Sequence, residues 1–351
     1  MKKIVYFTKY SSLGASSRLR SFQFFSSLQE KGFEVSHSCL LGDRYLSALY
    51  DNKKSRFLYL VAGYFKRMLV LLSVKKYHIV VIEKELFPYL PAWAEVALNK
   101  AGIGYFADYD DAIFHNYDLS KNKWLRKFLS DKIDIVMKNS KCVFAGNSYL
   151  ADRAKKAGAK KIILLPTVIN RNKYYKIDNK DLSHFTLGWI GSPSTYKYIE
   201  ELFPVFKKLN EEFPHFRVNI IGAKQSPETD GFISFIPWNE NTEVEEINKF
   251  DLGIMPLHDT PWEQGKCSYK LIQYMGCSIA VLASPVGMNN DIVNPGKNGD
   301  FVHGDDWYNA IKKYIENKQV TIQEGHEGRM LIDSTYNTDN NLKKIIRAFE
   351  N

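Results

Sequence analysis

Short apolar runs recur along both halves of the chain, and most are followed by a segment with helical spacing. In the first half Lys3–Thr8, Phe33–Leu41, Ile79–Glu83, Gly104–Ala107, Cys142–Ala145 and Ile162–Leu165 read as strands. Ser16–Lys31, Phe57–Val74, Pro91–Lys100, Leu125–Asn139 and Tyr149–Ala157 read as the helices between them, with Gly32 and Gly102 standing where a helix C′ residue belongs. The pattern restarts with strands at Phe185–Ile190, Arg217–Ile221, Ile233–Pro237, Asp251–Leu257 and Ile279–Ala283, and helices around Tyr198–Glu212 and Asp306–Glu316. Repeated βα units predict parallel sheets with helices on both faces. A length of 351 residues exceeds one compact core. The expectation is therefore an α/β protein of two doubly wound, Rossmann-like domains, residues 1–180 and 183–334, joined through the polar stretch Ile177–Ser183.

Charge divides the same way. Residues 1–180 hold 32 Lys and Arg against 15 Asp and Glu, whereas the remainder holds 16 against 24. Such asymmetry points to an anionic partner for the first half, a membrane surface or a lipid phosphate, or else to a plain basic domain. Nucleic acid is disfavoured, because no helix-turn-helix, zinc or RNP-like pattern occurs. Cys39, Cys142, Cys267 and Cys277 are scattered without a CxxC pair, as in a cytosolic protein with reduced thiols. No signal peptide is expected, and the most apolar stretch, Phe57–Val74, is interrupted by Lys66 and Arg67. A soluble or peripheral protein is the expectation.

Ligands of open parallel sheets bind beyond the carboxyl ends of strands. Three loops there favour an anion. Lys9–Arg20 offers Gly14 for close backbone approach and Arg18, which reads either as a phosphate grip or as a solvated surface residue. Gly191–Lys197 is a small-residue loop, with Ser192 and, in the first turn of the next helix, Lys197. A cation there opposes the helix dipole, a mild penalty that an intervening anion would remove. In "GKCSYKLIQYMGCSIAVLAS", residues 265–284, a helix starting near Lys266 would put 266, 270, 273 and 277 on one stripe beside an apolar stripe of Cys267, Leu271, Tyr274 and Met275. Lys266 and the free N–H groups near Cys267–Tyr269 would then cradle phosphate, or Lys266 and Lys270 form a solvated basic face. "YFADYDDAIFH", residues 105–115, carries Asp108, Asp110 and Asp111, which could hold a metal, cap a helix or orient an acceptor hydroxyl. Glu83 and Glu85 also fall at a strand end. HExxH, GxSxG, Walker A and GxGxxG signatures are absent from the sequence.

"GWIGSPSTYKYI" (188–199), "FDLGIMPLHDTPWEQGKCSYKLIQYM" (250–275) and "VLASPVGMNNDIVNPGKNGDFV" (281–302) resemble glycosyltransferase family 4, retaining enzymes of the GT-B fold. "SSLGASSRLRSFQF", "YFADYDDAIF" and "FAGNSYLADRAKKAG" extend the resemblance to a bacterial subgroup acting in surface polysaccharide synthesis. The resemblance implies a nucleotide-sugar site in the C-terminal domain, an acceptor site in the N-terminal one, and a last helix, Asn341–Phe349, that returns to the first domain. It implies a UDP- or GDP-sugar donor, no required cofactor or metal, and hexosyl or N-acetylhexosaminyl transfer to a lipid-linked glycan at the cytoplasmic membrane face. The family's two donor glutamates, eight residues apart, fall on Gly265 and Gln273. Gln273 could still bind ribose, and Glu263, Lys266 or Lys270 could replace the other. The family's diphosphate arginine falls on Ser192 and its lysine partner on Lys197. Its reaction-centre histidine has no counterpart, and Asp110 or Asp111 stands nearby. Asp110, Asp111 or Glu85 would orient the acceptor, and Lys270 would stabilise the leaving group. A nucleotide-sugar epimerase and a non-catalytic scaffold are the competing readings.

Overall fold

The computed structural model describes residues 1–50, 56–177, 183–223 and 231–351. The stretch expected as a linker, 177–183, lies outside them except for its ends. The chain divides into two compact units. The first comprises Met1–Thr167, Gln264–Cys267 and Asp339–Asn351, and the second Val168–Glu263 and Ser268–Thr338.

The first unit is built on a six-stranded parallel sheet of β1 (Lys2–Tyr10), β2 (Phe33–Leu41), β3 (Ile79–Glu83), β4 (Tyr105–Tyr109), β5 (Cys142–Ala145) and β6 (Ile162–Leu164), in the order β2-β1-β3-β4-β5-β6. The central strands are apolar without alternation because both faces are covered: Ile4–Phe7 and every residue of β3 and β4 are buried. Gly32 ends a helix with φ +83 and Gly102 another with φ +74, conformations that favour glycine. The final helix, Thr338–Glu350, sets Phe349 edge-on to Phe106 at 5.0 Å, and its Asn341 donates to the Pro166 carbonyl at 2.7 Å.

The second unit carries β7 (Phe185–Ile190), β8 (Phe216–Ile221), β9 (Ile233–Ile236), β10 (Leu252–Met255), β11 (Ala280–Ala283) and β12 (Gly299–Phe301), all parallel in the order β12-β11-β10-β7-β8-β9. Phe185, Leu187, Trp189, Phe206, Ile220, Leu252 and Tyr314 form part of one buried cluster on this sheet.

Several expected helices are broken. Ser16–Lys31 is a helix at Ala15–Arg20, a 3-10 turn and a second helix at Phe25–Glu30, because Ser21 leaves helical geometry at φ −124, ψ −66. The basic segment 125–139 divides into Lys123–Leu129 and Lys132–Asn139. The 17-residue helix Lys318–Ser334 is not among the expected elements, and it contains Gly325 and Gly328. They are packing devices: a Cβ at Gly325 would lie 2.1 Å from the Ser278 carbonyl oxygen. The helix expected from Lys266 begins only at Tyr269, after Ser268 adopts φ +48, ψ +31.

Candidate functional site

In the second unit, chain order reverses between β7 and β10, the arrangement that opens a ligand crevice at the strands' carboxyl ends. The two segments bounding it within this unit are 191–197 and 256–263. Gly191 lies against Trp189: a Cβ there would meet the indole Cη2 at 2.3 Å. The Lys270 ammonium stands 5.5 Å from the same ring's centroid, so one buried indole underlies both the Gly191 turn and Lys270. Ser192 is exposed, its hydroxyl 2.8 Å from that of Ser194. Lys197 is exposed in the first turn of Lys197–Glu200, with its ammonium 4.7 Å from the Tyr198 ring centroid. Tyr198 and Thr260 both donate hydroxyl hydrogen bonds to Glu263, which is buried. Glu263 therefore ties the two loops together.

Gln273 is buried, and its amide donates to the Tyr174 hydroxyl at 3.0 Å. Tyr174 in turn donates to Glu243 at 2.8 Å. This is an interior polar network, at odds with the ribose contact expected for Gln273. The basic stripe is also overturned. Lys266 precedes the helix, in the segment Gln264–Cys267 that packs with the first unit, and Cys277 is buried. Asn147 holds that segment by donating to the carbonyls of Gln264 at 3.1 Å and Lys266 at 3.0 Å, and the Cys267 thiol donates to the Asp110 carbonyl at 3.0 Å.

In the first unit, order reverses between β1 and β3. Their carboxyl ends gather a dense charge cluster. Lys84, buried and in left-handed geometry at φ +67, reaches Asp110 at 2.9 Å and donates to the Ser16 hydroxyl at 3.0 Å. Ser16 donates to Asp110 at 2.6 Å, and Ser17 to Glu83 at 2.9 Å. Arg20 grips Asp108 through Nε at 3.0 Å and a second guanidinium nitrogen, and also donates to the Leu165 carbonyl at 2.6 Å. Burial alone would raise the Asp110 carboxyl, but Lys84, Arg20 and the Ser16 hydrogen bond outweigh it and hold it at about 2. Burial, then the charge of Asp110, pushes Asp111 up. Burial likewise pushes Glu83 up. Lys84 is raised, since Asp110, Asp111 and Glu83 together exceed the cost of burying it.

The three aspartates thus do not share one task. Asp108 and Asp110 are paired with the protein's own cations, and Asp111, 3.8 Å from Lys84, is partly exposed. Among the described residues no group of three or more His, Cys, Asp or Glu is placed to hold a metal ion. Glu85 is engaged by Lys132 and by the Tyr117 hydroxyl, which donates at 2.8 Å. Gly14 caps the helix Ala15–Arg20 and is confined by Tyr10, whose Cβ a Gly14 Cβ would approach to 2.4 Å. Arg18 reaches the Ser12 carbonyl at 3.4 Å, so the buried arginine of the loop is Arg20. Sequence reasoning missed Lys84. Its only signal is a lysine between two glutamates directly after an apolar strand.

Residues 184–317 match the family described as Glycosyl transferases group 1. No curated protein matches the sequence. Solved structures do share the fold. A sucrose-phosphate synthase from Thermosynechococcus elongatus superposes with a TM-score of 0.75 at 14% identity, covering 100% of this chain and 98% of that one. Anabaena HepE in complex with UDP-glucose gives 0.72 at 13% identity, with 100% of both chains covered. A glycosyltransferase from Rickettsia africae gives 0.67 at 12% identity, covering 99% and 98%. The chain therefore has the GT-B fold of two parallel-sheet, Rossmann-like halves, and its residues 184–317 match the group 1 glycosyl transferases.

Proposed function

We propose that the protein is a retaining glycosyltransferase of family 4 that moves a sugar from a UDP- or GDP-sugar to a hydroxyl of a lipid-linked glycan in bacterial surface polysaccharide synthesis. The observation that carries this reading is the switch of strand order between β7 and β10: Gly191 and Lys197 follow β7, and Lys270 lies over Trp189 of β7, all inside the segment that matches group 1 glycosyl transferases. The whole-chain similarity to HepE, whose structure holds UDP-glucose, supports it further.

Breaking the donor's glycosidic bond puts negative charge on the departing diphosphate. Cations fixed before the reaction stabilise that charge without reorganising. Lys270 over Trp189 and Lys197 over Tyr198 would supply it, with the Gly191 turn allowing close approach of the backbone. Ser192 would contribute a hydroxyl. In the first unit, Asp110 is held ionised by Lys84, and the more open Asp111 is the carboxylate suited to orient an acceptor hydroxyl. Glu85, Glu263 and Gln273 serve as internal ties in this reading, and Gly14, Arg18 and Lys266 lie outside the donor contacts.

A panel of UDP- and GDP-sugars screened by thermal shift tests the donor, followed by product analysis with lipid-linked glycan acceptors. Stabilisation by one donor and acceptor-dependent release of its nucleotide are expected. A new nucleotide-sugar formed without acceptor would replace the reading with an epimerase. Binding of no donor would favour a scaffold, a reading motivated by the lack of a side chain at Gly265.

A further inference from the structure

The helix Arg56–Leu72 sits inside out on the first sheet. Its inner face carries Gly63 and Arg67. A Cβ at Gly63 would come within 2.0 Å of the Leu40 carbonyl oxygen, so the helix backbone lies directly on β2. Arg67 is fully buried and donates to the carbonyls of Ser38 at 2.7 Å, Leu86 at 3.0 Å and Thr8. These contacts fix the rotation of the helix about its axis. The opposite face then follows from the helical repeat. Leu58, Val61, Phe65, Leu69 and Leu72 form one stripe there, and each is between 50 and 78% exposed. A helix that only covered a sheet would turn such a stripe inward.

Apolar exposure continues from this helix along the first unit. The Tyr64 hydroxyl donates to the Pro88 carbonyl at 2.6 Å, and the adjoining loop exposes Tyr89, which packs edge-on against Tyr117 at 5.8 Å. Beyond it the helix Lys123–Leu129 exposes Trp124 and Phe128, stacked at 5.7 Å. Exposed lysines accompany both patches: Lys66, Lys75 and Lys76 in the first, Lys123 and Lys127 in the second. Neither residues 56–76 nor residues 119–130 contain an aspartate or glutamate. Exposed aromatic and aliphatic side chains among cations, in segments that themselves carry no acidic residue although Asp118 and Asp131 flank the second, complement an anionic bilayer surface.

We infer that this face of the first unit docks on an anionic lipid bilayer. The helix lies in the membrane plane, with its outer stripe at the acyl boundary and its lysines among the headgroups. No helix among the described residues is long and apolar enough to cross a membrane. Arg67 ties the inner face of the helix to the carboxyl end of β1 and to the loop after β3, which holds the helix in place while its outer face meets the bilayer. Docking itself needs no sugar donor, so it stands or falls apart from the proposed activity.

The test is flotation of the full chain with phosphatidylglycerol-containing and pure phosphatidylcholine vesicles, with F65E/L69E as the variant. The wild type should bind the anionic vesicles more tightly, and less tightly at high salt. The variant should bind roughly 100-fold more weakly, from lost apolar insertion and added repulsion. Its thermal unfolding and donor-induced thermal shift should be unchanged, because both side chains face solvent. Wild-type protein that ignores anionic vesicles, or a variant that binds as well, overturns the inference. So does a wild-type dimer in sedimentation velocity that F65E/L69E converts to monomer, which would assign the stripe to a second copy of the chain.

Discussion

Gly265 lies so close to Ala112 that a Cβ would approach the alanine Cβ to 2.4 Å and its backbone nitrogen to 2.8 Å. The neighbouring atoms are backbone and a Cβ, which cannot rotate away. The position where the family resemblance expects a glutamate therefore has no room for a side chain. Gly265→Ala should cost about 1–3 kcal/mol as an overpacked site, read as a lower urea midpoint with unchanged slope. A variant as stable as the wild type would show that the segment Gln264–Cys267 relaxes freely.

The Lys84–Asp110 pair sets an acid limit. The Asp110 carboxyl is held at about 2, against roughly 4 in an unfolded chain. Its folded value is depressed, so its stabilisation is complete above about pH 4 and is lost as pH falls toward 2. Urea unfolding of wild type and Asp110→Asn across that range should show a stability gap that is constant near neutrality and closes in acid. Glu83 and Asp111 titrate in the opposite sense, being pushed up. The charge of Asp110 is among the causes that raise both, so Asp110→Asn also relieves them, and the gap near neutrality is the net of the two effects. A gap that widens toward pH 2 would contradict the pairing.

Lys84 is buried against Asp110 and beside Glu83. Lys84→Met would leave those carboxylates without their ammonium partner, at a cost of about 3–5 kcal/mol. Chemical denaturation measures it, and a loss under about 1 kcal/mol would place the pair among ordinary surface bridges.

The thiols should differ sharply in reactivity. Burial raises Cys142 to about 11, and Cys267 and Cys277 each to about 12, whereas Cys39 is partly exposed. Iodoacetamide at mildly alkaline pH should label Cys39 alone in the native protein, and all four after unfolding. Peptide mass spectrometry reads the outcome.

Under the proposed function, Lys270→Ala should lower kcat by about 100-fold, the effect of removing one fixed electrostatic stabiliser. Unfolding midpoints should move little, because Lys270 is only partly buried. Lys197→Ala should act chiefly on donor KM, its ammonium being exposed. Full turnover by Lys270→Ala would remove that lysine from the reaction.

The sequence by itself determined the strands. Ile79–Glu83, Cys142–Ala145 and Phe185–Ile190 are legible to the residue, because parallel strands covered on both faces need near-continuous apolar runs; the bounds of the partly exposed edge strand Phe33–Leu41 match as well. The short strand Gly299–Phe301 has no such run and went unseen. The loops of the candidate site were also legible, since their place after strands follows from the βα repeat. Which charges meet was not. Arg20 with Asp108, Lys84 with Asp110 and Lys132 with Glu85 join residues 88, 26 and 47 positions apart. Local pattern carries no information at that separation. The same holds for Gly265 and Gln273, whose environments come from Ala112 and Tyr174. Helical periodicity suggested a basic stripe through Lys266 and Lys270, but tertiary packing of Gln264–Cys267 and the left-handed Ser268 separated them. Periodicity along the chain fixes where backbone hydrogen bonds run. Only packing across the chain decides which side chains are desolvated, which are paired, and which are left facing a ligand.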